Sequence, residues 1–316
     1  MHCNDSFADC DELVANGCET SLLDDASCGA CGRTCKDDAA CMSGICPSTT
    51  LATGGALGAL VVDPTYAYYV DRAPNGGIEK VFLSGGLPKM ISADSHATAL
   101  AVDSQYLLWI HDDTGIDSLV IADGTISTLV SDSGINSIAR GPEPCCVYYA
   151  TNGGDLKAMS IDGTGKPILK TSISGLHALG AWGGTSEVVG IDSQGNVFAC
   201  DVGGTSQPQV VASNASASTL ATSYAHVFWA TANGDVIAQS FSTTTMLATA
   251  QSVATNIAAN ASFVYWGDGA NRIVRVPIAG GATTIVASEQ TTIAAVAADD
   301  TSVYWTTSNA LRSTTK

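Results

Sequence analysis

The run Val303-Tyr304-Trp305-Thr306 shows the pattern that decides the fold, because an apolar, β-favouring segment ends there in a large aromatic side chain. Similar runs return along the chain. Their aromatic side chains, separated by steps of 40, 40, 80, 37 and 39 residues, are Tyr69, Trp109, Tyr149, Trp229, Trp266 and Trp305. Val189 lies at the midpoint of the double step. A period this long and regular predicts one supersecondary unit repeated seven times.

Each repeat contains four short apolar segments separated by turn residues. In the fourth repeat the third and outer segments are residues 197–202 and 209–212, and Gly203 and Gly204 follow the third segment. Segments of this length, bounded by Gly, Asn and Asp, are typical of strands joined in hairpins. Four strands per unit, with a period near 40 residues, indicate the blades of a β-propeller.

The last repeat lacks a fourth segment after residues 310–315. Residues 49–53 can supply it, because Leu51 precedes Leu60 by nine residues, the spacing between outer and inner segments elsewhere in the chain. We therefore predict an all-β fold: a seven-bladed β-propeller with four-stranded blades, whose N-terminal strand closes the last blade and leaves few free strand edges. A six-bladed ring with one additional hairpin is the alternative.

The cysteines are concentrated at the start of the chain. Eight of the eleven are Cys3, Cys10, Cys18, Cys28, Cys31, Cys35, Cys41 and Cys46. A segment this short cannot bury enough apolar surface to fold unaided, so an even number of cysteines predicts four disulfides and an oxidising compartment. We assign residues 1–46 to a disulfide-rich module and residues 47–316 to the propeller. Zinc or an iron–sulfur cluster on Cys28, Cys31 and Cys35 is the alternative.

Three further cysteines lie in the repeats. A vicinal Cys145–Cys146 disulfide and an inter-blade Cys146–Cys200 disulfide are the two pairings considered. Because eleven is odd, one thiol is either free or paired with another chain.

Charge excludes two classes of partner. The chain carries 30 acidic and 13 basic residues, a formal net charge of −17. Nucleic acid and anionic lipid both require clustered Lys and Arg, so neither is expected as a partner. No stretch has the length and hydrophobicity of a transmembrane helix, so membrane insertion is not expected either. With no leader before Cys3, we expect an extracellular or cell-surface protein whose signal peptide has already been removed.

Two resemblances cover most of the chain. The units Val303-Tyr304-Trp305-Thr306 and Val264-Tyr265-Trp266-Gly267-Asp268 resemble YWTD-type propeller repeats. Residues 27–35, Ser-Cys-Gly-Ala-Cys-Gly-Arg-Thr-Cys, resemble a module of secreted and surface proteins of myxobacteria. The first resemblance implies a propeller, although YWTD rings have six blades and a stricter motif. The second implies secretion.

The loops between second and third strands carry the candidate site. In a propeller they all emerge on one face, around the central opening. The candidate ligand-binding residues on that face are Asp71, Arg72, His111, Asp112, Asp113, Asn152, Asp192, Asn233, Asp268 and Asn271. Their oxygens and amides suit a glycan or a Ca²⁺ ion. The alternative is that Asn, Asp and Gly only satisfy the hairpin turns, with Asp71, Arg72, His111 and Asp112 the least explained in that way.

Neither the aromatics nor the histidines indicate catalysis. Aromatic side chains at identical repeat positions on central strands favour packing between blades over stacking against sugars. The histidines occupy unrelated repeat positions, and no nucleophile elbow, phosphate loop or zinc-binding helix motif is present.

We therefore predict a non-catalytic extracellular binding or structural protein, with a glycan or protein partner on the loop face, no catalytic residues and no cofactor other than a candidate Ca²⁺. One alternative is a repeating subunit of an extracellular filament, formed by self-association. Another is a lyase or hydrolase with its site at the central opening, because propellers host both.

Overall fold

The structure, a computed structural model, describes residues 3–4, 6–11, 13, 15–35, 39–141, 146–183, 185–201, 207–213, 215–249, 254, 256–289 and 291–315. Its N-terminal module contains one small sheet of β1 (Phe7–Ala8) and β2 (Thr20–Ser21). β3 (Thr49–Thr53) follows the module. No helix in the described ranges is long and apolar enough to span a bilayer.

The remaining strands form the blades, each a four-stranded antiparallel sheet whose strands run in chain order from the inner to the outer edge. Blade 1 contains β4 (Leu57–Val62), β5 (Tyr66–Asp71), β6 (Ile78–Phe82) and β7 (Lys89–Ser92). Blade 2 contains β8 (Leu100–Val102), β9 (Tyr106–His111), β10 (Gly115–Val120) and β11 (Ile126–Ser131). Blade 3 contains β12 (Ile135–Arg140), β13 (Cys146–Thr151), β14 (Asp155–Ser160) and β15 (Ile168–Ser172).

Blades 4 to 6 follow the same order. Blade 4 contains β16 (His177–Trp182), β17 (Glu187–Ile191), β18 (Val197–Asp201) and β19 (Gln209–Ala212). Blade 5 contains β20 (Ala217–Thr222), β21 (Val227–Thr231), β22 (Val236–Gln239) and β23 (Thr244–Ala248). Blade 6 contains β24 (Ile257–Ala259), β25 (Phe263–Gly267), β26 (Arg272–Pro277) and β27 (Thr284–Ser288).

Blade 7 closes the ring. It contains β28 (Ile293–Ala298), β29 (Ser302–Thr307), β30 (Ala310–Thr315) and, as its outer strand, β3. β3 pairs antiparallel with β30, with Thr53 opposite Ala310. Inner strands β28 and β4 also contact each other, so the last blade adjoins the first. The prediction of a seven-bladed propeller closed by an N-terminal strand is confirmed.

Polar residues at the ends of inner strands shape the first hairpin of several blades. The Asp63 Oδ1 atom accepts hydrogen bonds from the backbone N–H groups of Thr65 and Tyr66, and the Tyr68 hydroxyl donates to Oδ2 at 2.7 Å. Asp299 and Tyr304 repeat this arrangement in blade 7, where the hydroxyl–carboxylate distance is 2.8 Å. Such Asx turns satisfy backbone donors that the turn would otherwise leave unpaired, and they fix where the strand reverses.

The core lies between blades. Each recurring aromatic is no more than 1% exposed. Tyr69 packs with Leu51, Ala297 and Tyr304 of blade 7, and Trp229 packs with blade 4 residues such as Trp182. The expectation that these rings serve inter-blade packing is confirmed, because no ring face is open to a sugar.

Blade 4 differs from the sequence prediction by one residue. Its second turn begins at Asp192, which corresponds to Thr231 in blade 5, so the position of Trp229 falls on Gly190 and not on Val189. Val189 instead faces blade 5. A Cβ on Gly190 would lie 2.7 Å from a Leu176 methyl carbon and 3.0 Å from one of Leu179. These two leucines therefore occupy the space of the missing aromatic ring.

Replacing Gly190 tests this exchange. Gly190→Val should destabilise the fold by about 1–3 kcal/mol, because added carbon atoms would overpack a filled space. Gly153→Val is the matched control: Gly153 is exposed and has only the Thr151 hydroxyl, at 3.6 Å, near its Cβ direction. Thermal unfolding of both variants checks the prediction. Equal unfolding temperatures would contradict it.

The module is held by four disulfides, as predicted: Cys3–Cys18, Cys10–Cys31, Cys28–Cys41 and Cys35–Cys46. The zinc and iron–sulfur alternative is wrong, because every cysteine it requires is bonded to another sulfur. Four disulfides indicate an oxidising environment for this segment.

The inter-blade Cys146–Cys200 pairing is also wrong. Cys200 is a free, buried thiol, and Cys146 is disulfide-bonded. Cys145 lies outside the described residues, so the vicinal pairing stays a prediction. Burial, and to a smaller extent the charge of Glu187, raise the pKa of the Cys200 thiol to about 12. The thiolate form is therefore scarce near neutral pH, and Cys200 is poorly suited to pairing with another chain.

The module contacts the end of the last β-strand. The Arg33 guanidinium donates to the carbonyl oxygen of Thr315 at 2.8 Å, and the Thr315 hydroxyl donates to the carbonyl oxygen of Thr34 at 3.1 Å. Arg312 on β30 donates to the Ser48 hydroxyl at 3.1 Å. The module is thus seated on blade 7, next to the point at which β3 enters that blade.

Candidate functional site

The loops between second and third strands lie on one face with the loops that join successive blades, and we call this the loop face. Backbone hydrogen bonds connect the two sets. The N–H of Arg72 donates to the carbonyl of Ala56, and that of Asn152 to the carbonyl of Gly134. The contact recurs in blade 5 between Ala232 and Ser216. The face is therefore a continuous, backbone-supported surface around the central opening.

Three predicted carboxylates on this face are bound by the backbone. Asp192 Oδ1 accepts from the N–H groups of Gln194 and Asn196, and Asp268 Oδ1 does the same within its own loop. Asp71, which the sequence set apart from ordinary turn residues, accepts from the N–H groups at positions 55, 56 and 73. All three residues are buried. Their carboxylates stabilise the loop conformations, which agrees with the alternative that Asp residues satisfy the backbone of the hairpin turns.

The equivalent position carries threonine in other blades. Thr231 Oγ1 accepts from the N–H groups of Asn233 and Asp235, and Thr151 and Thr307 act similarly. Sequence reasoning missed this set, although each member lies two residues after the recurring aromatic position. The shared offset was the signal that could have identified the position as a turn cap.

The predicted asparagines fall into two groups: Asn271 stabilises a turn, whereas Asn152 and Asn233 are exposed at the surface. Asn271 has a φ of 60°, a left-handed backbone conformation that Asn tolerates better than most residues, and its N–H donates to the Asp268 carbonyl. Asn152 and Asn233 are exposed. The Asn152 side-chain oxygen accepts from Asn136 Nδ2 at 3.3 Å. These two amides remain accessible at the surface.

Arg72 lies at the mouth of the central opening. A Cβ on Gly58 would lie 3.0 Å from the guanidinium carbon of Arg72, so the guanidinium covers this residue of the inner strand β4. Arg72 is exposed, and no carboxylate within the described ranges forms an ion pair with it. By contrast, Arg272 on the same face pairs with Asp268 at 2.6 Å. Arg72 is therefore an exposed cation that lies over Gly58 and has no carboxylate partner among the described residues.

A second polar group lies in blade 2. His111 Nδ1 is 2.9 Å from Asp94 Oδ2, and the Asp94 side chain is only 6% exposed. His111 Nε2 is 3.8 Å from Asp112 Oδ2, and His96 Nδ1 is 3.8 Å from Asp112 Oδ1. Asp113, also predicted, is exposed and follows Asp112 in a left-handed turn, with φ of 56° and 46° respectively. Asp94 and His96 were not predicted, because they come from the preceding inter-blade loop.

The hydrogen bond that His111 Nδ1–H donates to the Asp94 carboxylate, more than any other effect, raises the pKa of His111 above its ordinary value of 6.5. Because the pKa of His111 is higher in the folded chain than in the unfolded chain, protonation of His111 stabilises the fold. This stabilisation is complete below the pKa of the unfolded chain, and it is lost as pH rises through the pKa of the folded chain. Because the imidazole is 47% exposed, solvent screening keeps the effect small.

Titration tests this assignment. We expect NMR to give His111 a pKa above 6.5, and Asp94→Asn to lower it, because the replacement removes the charge that favours imidazolium. Asp300→Asn, at an exposed carboxylate in blade 7, is the control and should leave the His111 titration unchanged. An unchanged His111 titration in Asp94→Asn would contradict the prediction.

Ligand atoms of Asp94, His96 and Asp112 all lie within 4.8 Å of one another. Two carboxylates and an imidazole are too few oxygen donors for Ca²⁺, which takes six to eight, and a mixed nitrogen and oxygen set is more typical of transition metals. A Ca²⁺ ion at this face thus stays a prediction, which calorimetric titration with Ca²⁺ and Zn²⁺ can check.

The central channel and the opposite face differ in character. Inner-strand residues, many of them Ala and Val, line a channel of about 410 Å³. A cleft of about 460 Å³ opens on the opposite face beside Pro64, Asn260 and Asp300. Sequence reasoning did not predict this cleft. Its carboxylates Asp63 and Asp299 are engaged in the Asx turns described above, which leaves few free polar groups for a ligand.

Comparison with known proteins shows the architecture. No protein-family model matches the chain, and no curated protein does. Solved structures do resemble it. The fold is that of a β-propeller. Virginiamycin B lyase from Staphylococcus aureus has a TM-score of 0.68 at 14% identity, over 85% of this chain and 98% of the lyase. The WD40 β-propeller domain of Doa1 has a TM-score of 0.64 at 13% identity, over 85% and 97%.

A third similar structure is PorZ, a bacterial surface component of the type-IX secretion system of Porphyromonas gingivalis. Its TM-score is 0.63 at 15% identity, over 84% of this chain and 37% of PorZ. This chain thus spans little more than a third of that protein. These solved structures include a secretion component, a lyase and a WD40 domain, and at this identity the likeness shows the fold alone.

Proposed function

We propose that this chain is a non-catalytic extracellular binding protein and that its loop face holds a glycan or a protein partner. Arg72 carries the proposal. Its guanidinium lies over Gly58 at the mouth of the channel, with no ion-pair partner among the described residues. Because its five N–H donors match carboxylates and other acceptor oxygens, we expect a single acidic group of a glycan or of a protein loop there. One cation can bind such a group without the clustered Lys and Arg that a polyanion requires.

The neighbouring residues support a binding surface of mixed polarity. His111, Asp112 and Asp113 of blade 2 and Asn152 of blade 3 are all exposed on the loop face. The loops that carry them are fixed by backbone hydrogen bonds, so a ligand would meet a preorganised surface and little ordering entropy would be lost on binding. An extracellular or cell-surface location is part of the same proposal, and the four disulfides support it.

A glycan array that pairs uronic-acid oligosaccharides with neutral ones is the first test. We expect acidic members to bind, and Arg72→Ala to weaken binding about 10-fold or more, because a charge-assisted hydrogen bond is lost. Lys89→Ala is the matched control, since Lys89 is an exposed cation on the outer strand β7. An equal loss of glycan binding in both variants would mean that the ligand binds elsewhere on the protein.

A protein partner would give another result. The array would then show no binding, and a defined acidic peptide library would bind the wild-type chain more strongly than Arg72→Ala. If neither glycans nor peptides distinguish the two chains, the loop-face proposal is wrong.

One observation favours a second candidate, an enzyme of the lyase or hydrolase class. The buried Asp94 holds His111 by its Nδ1 atom, an arrangement that orients an imidazole as a general base. The likeness to a lyase adds only fold-level support. If a glycan ligand is found, incubation with the wild-type chain and with His111→Gln will show whether it is cleaved and whether His111 is required.

The filament alternative concerns self-association. The free thiol, Cys200, is buried, so the described residues offer no exposed free thiol for a disulfide between copies. Non-covalent assembly stays a prediction, which size-exclusion chromatography with and without reductant can test.

A further inference from the structure

Two arginines are buried where the module meets the propeller. Arg33 of the module is 7% exposed and Arg275 on β26 is 3% exposed. Neither forms an ion pair with a carboxylate in the described part of the chain. A buried cation normally has a counter-ion, because removing its hydration without one costs several kcal/mol. This pair of like charges therefore needs an explanation.

The surroundings supply only neutral partners. Arg33 donates to the carbonyls of Cys28 and Thr315, and its Nε atom is buried without a hydrogen-bond partner. Arg275 donates through Nε to the Thr284 hydroxyl at 3.1 Å, and its guanidinium lies over the Phe263 ring at 4.3 Å. Carbonyl, hydroxyl and ring contacts orient the guanidinium groups, but none of these contacts cancels the charge.

Tyr265 is near both cations, because both arginine charges act on its hydroxyl. It is the cross-strand partner of Arg275, and its hydroxyl accepts from Asn260 Nδ2 at 3.4 Å. Burial raises the pKa of Tyr265 more than the two arginine charges lower it, so its hydroxyl stays protonated and can donate. Burial, followed by the charge of Arg275, lowers the pKa of Arg33 to about 10, which leaves it a cation at neutral pH.

We propose that Arg33, Arg275 and Tyr265 form a binding site for one small inorganic oxyanion, of the sulfate or phosphate class, which joins the module to blade 6. The unpaired Arg33 Nε supplies one donor, and the Arg275 guanidinium and the Tyr265 hydroxyl supply the others. Guanidinium forks match oxyanions better than they match chloride. The site is remote from the loop face, so its test is independent of the proposed function.

The test is thermal unfolding of the whole chain in millimolar sodium sulfate or phosphate, against sodium chloride of equal ionic strength. At an oxyanion concentration 100-fold above Kd, the wild-type Tm should rise by about 5 °C, because the anion binds only the folded state. Isothermal titration calorimetry with sulfate should give one site. Arg33→Met should abolish both signals, and Tyr265→Phe should weaken binding.

Lys89→Met is the matched control. It removes one exposed cation on β7 and leaves the buried arginines intact, so it should keep the full sulfate effect. Sulfate also stabilises proteins generally by exclusion from their surface, and that effect should be the same in every variant. Arg33→Lys serves if Arg33→Met does not fold: it keeps the charge, loses the fork and should bind at least 10-fold more weakly.

Three outcomes would overturn the proposal. The wild-type chain could show no oxyanion effect beyond chloride. The effect could be equal in wild type, Arg33→Met and Lys89→Met, which would identify a general solvent effect. It could also persist in Arg33→Met and disappear in Arg72→Met, which would place the anion on the loop face.

Discussion

A chain that begins at residue 55 should fail to form a stable propeller, whereas a chain that begins at residue 47 should fold. The shorter chain lacks β3, the outer strand of blade 7, and leaves the edge of β30 unpaired. It also loses Leu51 and Ala52, both of which are buried between blades 7 and 1. Removing one buried leucine typically costs 2–5 kcal/mol, so loss of the whole strand approaches the roughly 5–15 kcal/mol that stabilise a domain.

Size-exclusion chromatography and circular dichroism of the two truncated chains check this prediction. The chain from residue 47 keeps β3 and lacks only the module, so it is the matched control and also tests the predicted domain boundary. It should elute as a compact species and unfold cooperatively. Aggregation is expected of the chain from residue 55, because an exposed strand edge pairs with other chains. Cooperative unfolding of both at similar temperatures would show that closure contributes little.

Trp305→Ala should cost about 3–5 kcal/mol, the typical loss for a large buried aromatic. The Trp305 ring is fully buried between blades 6 and 7, and its Nε1 donates to Glu289 Oε1 at 2.9 Å. The variant leaves a cavity at the contact between the closing blade and its neighbour. Urea unfolding measures the loss. Tyr224→Ala, at a residue 76% exposed, is the control and should change stability by less than about 0.5 kcal/mol.

Two conservative tryptophan replacements separate the contribution of packing to stability from that of hydrogen bonding. Trp305→Phe removes the donor to Glu289, while Trp266→Phe removes a buried Nε1 that has no partner. Both replacements remove a similar side-chain volume. Trp305→Phe should therefore be the more destabilising of the two, by about 1 kcal/mol, the net value of a typical hydrogen bond. The reverse order would show that the bond to Glu289 contributes nothing.

The candidate site was only partly predictable from sequence. Arg72 and His111 lie in the loops that their sequence positions indicated, and their role in binding stays a prediction. Turn position and residue type could not show that Asp71 is bound by the backbone of residues 55 and 56, or that Asp94 holds His111, because both contacts connect separate loops. Turn position and residue type also could not show that Arg33 and Arg275 are both buried, because this depends on how the module packs against the propeller.

The sequence alone determined the frame. An aromatic returning about every 40 residues imposes seven equal units, because each four-stranded unit must bury its faces against neighbours. The spacing of Leu51 from Leu60 then identified the closing strand. These signals are local and periodic, so they can be recognised without knowledge of long-range contacts.

Tertiary structure decided the rest. Eight cysteines allow 105 pairings, and only the folded module selects four bonds. Leu176 and Leu179 fill the space above Gly190, so the blade without an aromatic is still packed. Arg33 meets Thr315 across 282 residues of chain. The physical reason is the same in each case: chain closure brings distant residues together, and the energy of such contacts depends on burial and geometry that no local pattern records.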